Sequence, residues 1–373
     1  MRNASVVMIL QNISHLLWFL QLPIFRSVEH QEEYMLRALE LARLGQGAVS
    51  PNPLVGCVLV EGDLIIGEGW HRKYGERHAE IMAMDSVVEK HSIAGCTAYV
   101  SLEPCSHIGK TPPCADALIK AGVKHVVIST VDTNPLVAGQ GIQRLRDAGI
   151  DVTTGVLKSE GRRINRRFFT SIEQHIPYII LKWAETADGF VGSQNSTSKW
   201  ISNVTSRQRA HQWRAEEDAV LVGTRTAQVD NPRLNVRDWS GRNPVRVVID
   251  RSLRLDESLN LFDQSQPTLC YNLKKQEEKS NLTYIKLEKD SFLMSLLLDL
   301  TRRNIRSVMV EGGAQTLHAF IQEGLWHEAR IFRSVQTFGE GIHSPAIHGQ
   351  HLREERIEDD RLIVMINPAR SIT

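Results

Sequence analysis

The 373-residue chain carries no excess of charge: 44 Lys and Arg against 43 Asp and Glu leave a formal +1. A protein that coats nucleic acid displaces counterions with a basic excess, so the balance argues against that class. Aromatics are few, at 6%, which argues against the stacking platforms of a single-strand binder. Cysteine is sparse and odd in number, five in all. That excludes a disulfide scaffold and fits a reducing compartment with thiols free for a metal. An unbroken apolar run of membrane length is also missing, since a spanning helix needs about 20 mostly apolar residues. The nearest stretch, Val6 to Phe25, is interrupted by Gln11, Asn12, His15, Gln21 and Pro23. Its only basic residue at the start is Arg2 and no small-residue cleavage site follows, so it does not read as a signal peptide. There is no internal repeat and no low-complexity tract. What is present is ordinary globular material, 42% hydrophobic and 23% charged, enough for two cores at about 150 residues per domain. The expectation is a soluble, cytoplasmic protein that binds neither nucleic acid nor membrane.

Helix and strand patterns alternate. Apolar residues at Tyr34, Met35, Ala38, Leu39, Ala42 and Leu44 predict a helix over Glu32–Leu44. Leu54–Val60 reads as a strand, Glu61-Gly62-Asp63 as a hairpin turn, and Leu64–Gly67 as its partner. Helices follow at His78–Val88, Cys114–Ala121 and Gly141–Ala148, the last two closed by Gly122 and Gly149. Thr97–Leu102 and Lys124–Thr130 read as strands. Lys158–Arg167 is polar and basic, and a domain boundary is placed near Glu173–Pro177. Beyond it come strands at Tyr178–Lys182, Asp218–Gly223, Val245–Asp250 and Ser307–Val310. The helices there are Val204–Glu217, Ser291–Arg303 and Ala314–Glu323. Gln264–Leu282 is polar and reads as loop-rich. This alternation predicts layered α/β architecture.

His78-Ala79-Glu80 opens one helix, and Pro104-Cys105 and Cys114 come later. Zinc favours thiolate and imidazole, and a catalytic site uses three protein ligands plus a water. His78, Cys105 and Cys114 supply that set, with Glu80 placed to take a proton from the water, whose pKa zinc lowers toward about 7. This is the pattern of zinc deaminases, except that eight residues, Ser106 to Pro113, separate the two cysteines instead of two. The alternative is a closed zinc site with a fourth ligand, His107 or Cys96. Cys57 and Cys96 read as small core residues, Cys270 has no partner nearby, and His71 and His107 lie off the ligand pattern.

Ser50-Pro51-Asn52-Pro53 precedes a strand. Its prolines would hold the Asn52 amide for reading a pyrimidine edge, or the segment is simply an Asn-Pro turn. In the second half, Glu311-Gly312-Gly313 ends a strand and opens a helix. The pair of glycines suits either close approach to a pyrophosphate or a tight turn. Thr226, Asp230 and Asn231 form a polar cluster, and Arg214 and Arg237 suit a phosphate or a solvated surface.

From about Glu29 to the C-terminus the chain resembles the bifunctional deaminase–reductases of riboflavin biosynthesis. The matching stretches are SPNPLVGCVLV (50–60), HAE (78–80), SLEPCSHIGKTPPCADAL (101–118), NPLVAGQGI (134–142), LKWAETADG (181–189), KWIS (199–202), DAVLVGTRTAQVDNPRLNVR (218–237) and VEGGAQTL (310–317). The long cysteine spacing is typical of that family. Where the family usually has a proline after Asp132, this chain has Thr133. The resemblance implies an extension of uncertain role at residues 1–28, a cytidine-deaminase-like three-layer zinc domain at 29–174, and a dihydrofolate-reductase-like α/β domain at 175–373.

It implies hydrolytic deamination of 2,5-diamino-6-(5-phosphoribosylamino)pyrimidin-4-one with one zinc per chain, and then NADPH-dependent reduction of the ribosyl group to ribityl. By the same resemblance NADPH meets Ala184, Trp200, Thr226, Asp230 and the run Gly313, Ala314, Gln315, Thr316, Leu317, His318, Ala319. Substrate meets Asn52, Ser198, Arg214, Leu234, Arg237 and Glu311. No residue of this half stands out as the proton donor to the sugar carbonyl oxygen, so no catalytic acid is assigned there and Lys182 and Asp188 are candidates only; a homo-oligomer is expected. Two other readings compete: a nucleic-acid-editing deaminase, which the charge and aromatic content oppose, and a zinc-stabilised scaffold in which Glu80 is dispensable.

Overall fold

The computed structural model describes residues 23–88, 93–106, 112–134, 138–193 and 200–371, with side chains from residue 30 onward. Most of the apolar stretch Val6–Phe25 lies outside them. No helix among the described residues is long and apolar enough to cross a membrane. The chain forms two compact units, one made of residues up to Gly45 and Leu54–Ile164, the other of Gln46–Pro53 and Asn165 onward.

The first unit holds α1 (Pro23–Arg43), β1 (Gly56–Glu61), β2 (Leu64–Trp70), α2 (Ala79–Ser86), β3 (Thr97–Leu102), α3 (Cys114–Ala121), β4 (His125–Thr130), α4 (Gln140–Asp147), β5 (Asp151–Thr154) and α5 (Lys158–Ile164). Its sheet order is β2-β1-β3-β4-β5, with β1 antiparallel to both neighbours and β3, β4 and β5 parallel. Gly62-Asp63 makes the two-residue hairpin, with Gly62 at φ +60°. On one face Ala79, Ala83, Ala115, Leu118, Ile142 and Leu145 of α2, α3 and α4 pack onto Cys57, Leu59, Ala98, Val100, Val126 and Ile128. Helices α1 and α5 cover the other face. Gly69 lets α2 sit against β2, because a Cβ there would lie 2.3 Å from Ala83 N and 2.5 Å from Ala79 O.

The second unit contains α6 (Arg166–Glu173), β6 (Tyr178–Glu185), β7 (Phe190–Gly192), α7 (Val204–Glu216), β8 (Ala219–Gly223), α8 (Thr224–Asp230), β9 (Val245–Ile249), β10 (Thr268–Asn272), β11 (Glu277–Lys279), β12 (Leu282–Lys286), α9 (Phe292–Arg302), β13 (Ser307–Gly312), α10 (Ala314–Gln322), β14 (Glu328–Arg333), β15 (Ile342–His343), β16 (Gln350–Ile357) and β17 (Asp360–Ile366). The main sheet runs β11-β12-β10-β9-β8-β13-β6-β14-β17-β16, parallel from β12 to β14. Leucines of α9 with Leu317 and Phe320 of α10 cover one face, and Trp213 of α7 with Ala227 of α8 cover the other.

One expectation needs correction. Gln264–Leu282 is loop for only about half its length, because β10 and β11 interrupt it. Strand β10 is buried throughout, and its polar residues are satisfied in place. Asn272 donates to Cys270 O and Ile285 O and accepts from the amides of Lys274 and Lys275. The basic stretch Lys158–Arg167 folds into α5 and the start of α6. There the apolar Ile164, Phe168 and Phe169 turn inward while Arg167 pairs with the buried Glu217.

Candidate active sites

In the first unit two helix N-termini and one strand end converge. His78 is the N-cap of α2, Cys114 is the first residue of α3, and Cys105 follows β3 after Glu103-Pro104. One ligand atom from each of His78, Cys105 and Cys114 lies within 4.8 Å of the others. His78 Nδ1 is 3.6 Å from Cys105 Sγ and 3.3 Å from Cys114 Sγ. The amide of Cys114 donates to Cys105 Sγ at 3.3 Å, and the amide of Ala115 to Cys105 O at 3.2 Å, which fixes the loop to the helix. One imidazole and two sulfurs this close are the donor set of a three-ligand zinc centre, so the residues fit the metal. Among the described residues no other His, Cys, Asp or Glu group of three comes together in this way.

Hydrogen bonding to Cys114 pulls the Cys105 thiol below its ordinary value. Cys114 is correspondingly pushed up by Cys105 and by burial. Glu80, in the first turn of α2, is 3% exposed and reaches Cys114. Burial, and then the Cys105 charge, raise its carboxyl to about 7. A carboxyl poised there can both take and give a proton at neutral pH. His71 stacks edge-on against His78 at 5.3 Å with Nδ1 on Arg77 O, so it braces a ligand rather than being one. Cys57, Cys96 and Cys270 are buried in the two cores. His107 lies outside the described residues. Asn52 belongs to Gln46–Pro53, which groups with the second unit; there Ser50 donates to Asp218 at 2.7 Å and the Asn52 amide to Val49 O.

In the second unit the chain leaves β8 outward to β9, β10 and β12, then returns to insert β13 between β8 and β6. Helices α8 and α10 depart from the C-terminal ends of β8 and β13 onto opposite faces. Such a switch point leaves a crevice where ligands bind. Two glycines line it. A Cβ at Gly223 would be 2.3 Å from Thr316 Oγ1, and one at Gly313 would be 2.8 Å from Thr226 Oγ1. Gly313 O accepts the amides of Thr316 and Leu317. The amides of Ala314 and Gln315 have no acceptor within the helix, which suits a pyrophosphate. The residues therefore fit a nicotinamide dinucleotide.

The expected contacts divide on inspection. Gly313, Ala314, Gln315 and Thr316 open α10, His318 is exposed, but Leu317 is core and Ala319 packs against the core. Thr226 borders the glycines, Asp230 is exposed at the end of α8, Ala184 is half-buried on β6, and Trp200 is 67% exposed under Arg207. Ser198 lies outside the described residues. Leu234 is buried in the core, so only its backbone can meet a ligand. Arg214 is turned onto Glu311 in a bidentate pair at 2.6 and 2.7 Å, with its remaining nitrogen on Asn235 O, which takes up three of its five N–H donors. Arg237 remains exposed. Burial alone would raise the Glu311 carboxyl, but Arg214 holds it at about 2. Lys182 is pushed below its ordinary value by burial, against the pull of Glu311.

Two residues escaped the reading of the sequence. His211 is buried beside this pair; its Nδ1 takes the Arg237 amide at 3.4 Å and its Nε2 meets Asp238 at 3.2 Å. Burial and Arg214 lower it to about 4, so it is neutral. Glu103 is the other. A lone histidine inside a helix and a lone glutamate before a proline carry no spacing signal that could have singled them out.

Comparison with known proteins agrees with this division of chemistry. Residues 28–130 match the cytidine and deoxycytidylate deaminase zinc-binding region, and residues 177–367 match the RibD C-terminal domain. The riboflavin biosynthesis protein RibD of Aquifex aeolicus is 42% identical over 320 residues, 84% of this chain and 89% of the relative. A Thermotoga maritima diaminohydroxyphosphoribosylaminopyrimidine deaminase/5-amino-6-(5-phosphoribosylamino)uracil reductase superposes with TM-score 0.84 at 35% identity, covering 91% of this chain and 99% of that one. Acinetobacter baumannii RibD superposes with TM-score 0.83 at 34% identity and the same coverage. With both halves matched in order and across most of their length, the chain belongs to the RibD family of riboflavin biosynthesis proteins.

Proposed function

We propose that the chain catalyses two successive steps of riboflavin biosynthesis. Residues 29–174 deaminate 2,5-diamino-6-(5-phosphoribosylamino)pyrimidin-4-one, and residues 175–373 reduce the ribosyl group of the product with NADPH. The observation that carries the first step is the cluster of His78, Cys105 and Cys114 beside the buried Glu80. These three residues would hold one zinc, which when bound makes a water nucleophilic near neutral pH. Glu80 takes that water's proton and delivers it to the leaving nitrogen, so the ring carbon gains oxygen and loses ammonia.

The second step is supported by the crevice between Gly223 and Gly313. The first turn of α10, with Thr226, Asp230, Ala184 and Trp200, binds NADPH, which when bound supplies the hydride. Arg237 and the Leu234 backbone, with Ser198, hold the substrate. Glu311 faces its ribose side while Arg214 keeps the carboxylate ionised. Asp188 is committed to Thr186 and to the amides of Phe338 and Gly339, which leaves Lys182 to protonate the sugar oxygen. By family resemblance the enzyme works as a cytoplasmic homo-oligomer.

Given the diaminopyrimidine ribotide, the purified protein should release ammonia without NADPH, and NADPH oxidation should depend on that release. Glu80→Gln should retain zinc and lose ammonia release by at least about 10²-fold. Normal deamination by this variant would overturn the mechanism.

A further inference from the structure

The deamination chemistry leaves two buried acidic groups of the first unit unused, Glu103 and Asp132. Glu103 is 5% exposed and stands two residues before the zinc ligand Cys105. Its carboxylate accepts four backbone N–H groups. One oxygen takes Asp132 at 3.2 Å and Gly139 at 3.0 Å; the other takes Gly141 at 3.0 Å and Ile142 at 3.3 Å. All four donors lie in the segment that leaves the end of β4 and enters α4. Gly141 and Ile142 belong to the first turn of α4, where amides lack intrahelical acceptors and negative charge is favoured.

A steric lock accompanies the charge. A Cβ on Gly141 would stand 2.0 Å from Pro104 O, so only glycine lets the helix start rest on the Pro104-Cys105 peptide. The Glu103 amide donates to Thr130 O at 2.9 Å, which extends the β3–β4 ladder up to this point. Parallel strands such as β3 and β4 present ligands with the space beyond their C-terminal ends. Cys105 closes the end of β3, and residues 131–134 and 138–141 flank the end of β4.

We propose that Glu103 is a positioning residue of the deaminase site, which fixes residues 131–134 and 138–142 as a substrate-binding wall beside Cys105. It sets substrate binding and not the proton transfers, which belong to Glu80. This rests on the deaminase reading above.

Glu103→Gln keeps the size of the side chain but aims an amide donor at N–H groups. In the full-length zinc-loaded enzyme, KM for the diaminopyrimidine ribotide should rise about tenfold or more while kcat stays within about threefold. Zinc content should not change, and NADPH oxidation on supplied deaminated intermediate should match wild type. Amide exchange at Gly139, Gly141 and Ile142 should accelerate, a local change that a general loss of stability would not give. An unmoved KM, or loss of zinc with KM unmoved, overturns the proposal. If Glu103→Gln does not fold, Gly141→Ala decides, since it pushes the helix start off Pro104 with the carboxylate intact and must give the same rise in KM. A wild-type enzyme that releases no ammonia would instead refute the deaminase reading, and so the two failures are distinguishable.

Discussion

Arg214 and Glu311 are a pair of charges taken almost wholly out of water, with side chains 12% and 8% exposed. A buried pair contributes little net stability, but removing one partner strands the other charge at a cost of about 3–5 kcal/mol. Arg214→Met and Glu311→Gln should therefore each destabilise the enzyme by roughly that amount, and the double variant by less than their sum. Urea unfolding of the four proteins measures it; additive costs would show that the pair is not coupled. The same residues mark the limit of reading chemistry from order along the chain. His78, Cys105 and Cys114 were legible because a zinc site imposes residue type and neighbouring helix starts together. The pairing of Arg214 with Glu311 was not legible, because the two lie 97 positions apart and the sequence places the strand but does not orient it. Leu234 belonged to a matching stretch, yet its side chain serves the core.

At the scale of elements, the start of α10 depends on two glycines and two threonines that interlock across the crevice. Gly313→Ala introduces no backbone difficulty, since φ is −75°, but its methyl meets Thr226 Oγ1. NADPH affinity should fall about tenfold or more, while ammonia release is unchanged; isothermal titration and the ammonia assay read the two separately. Equal affinity would mean the cofactor does not use this cradle. Most elements were legible because their apolar periodicity agrees with their burial: Cys114–Ala121, closed by Gly122 at φ +76°, falls where the pattern puts it. Strand β10 was not legible, because its Thr268 and Asn272 are satisfied by carbonyls, Leu261 O and Ile285 O, that only the folded chain brings to them. Helices α5 and α6 hid behind five basic residues, two of which, Arg166 and Arg167, pair with the distant Glu328 and Glu217.

The molecule as a whole contains buried groups that titrate abnormally in the second unit. His327 accepts the Ile179 amide and meets Gln174, and burial, with Arg370, lowers it to about 3. Its ordinary value is about 6.5. The folded state keeps it neutral, so its contribution to stability is full above pH 6.5 and is lost as pH falls toward 3. Glu311, held at about 2, adds a further loss below the ordinary carboxylate range. Stability should decline on acidification from about pH 6.5, with a slope from His327 of up to about 1.4 kcal/mol per pH unit. In His327→Gln that slope should flatten between about pH 6.5 and 4.5. Denaturation midpoints across this range test it, and parallel curves for the two proteins would refute it.

The placement of β6 also has a consequence for synthesis. It is the first strand of its sheet to leave the ribosome, and both its neighbours, β13 and β14, are among the later ones. Each strand of the first unit, by contrast, pairs with one made shortly before or after it. The deaminase sheet can therefore close while translation continues, but β6 must wait with its apolar edges unpaired until residues 307–333 emerge. During that interval the nascent reductase half is the part of the chain most exposed to misassociation and to chaperones.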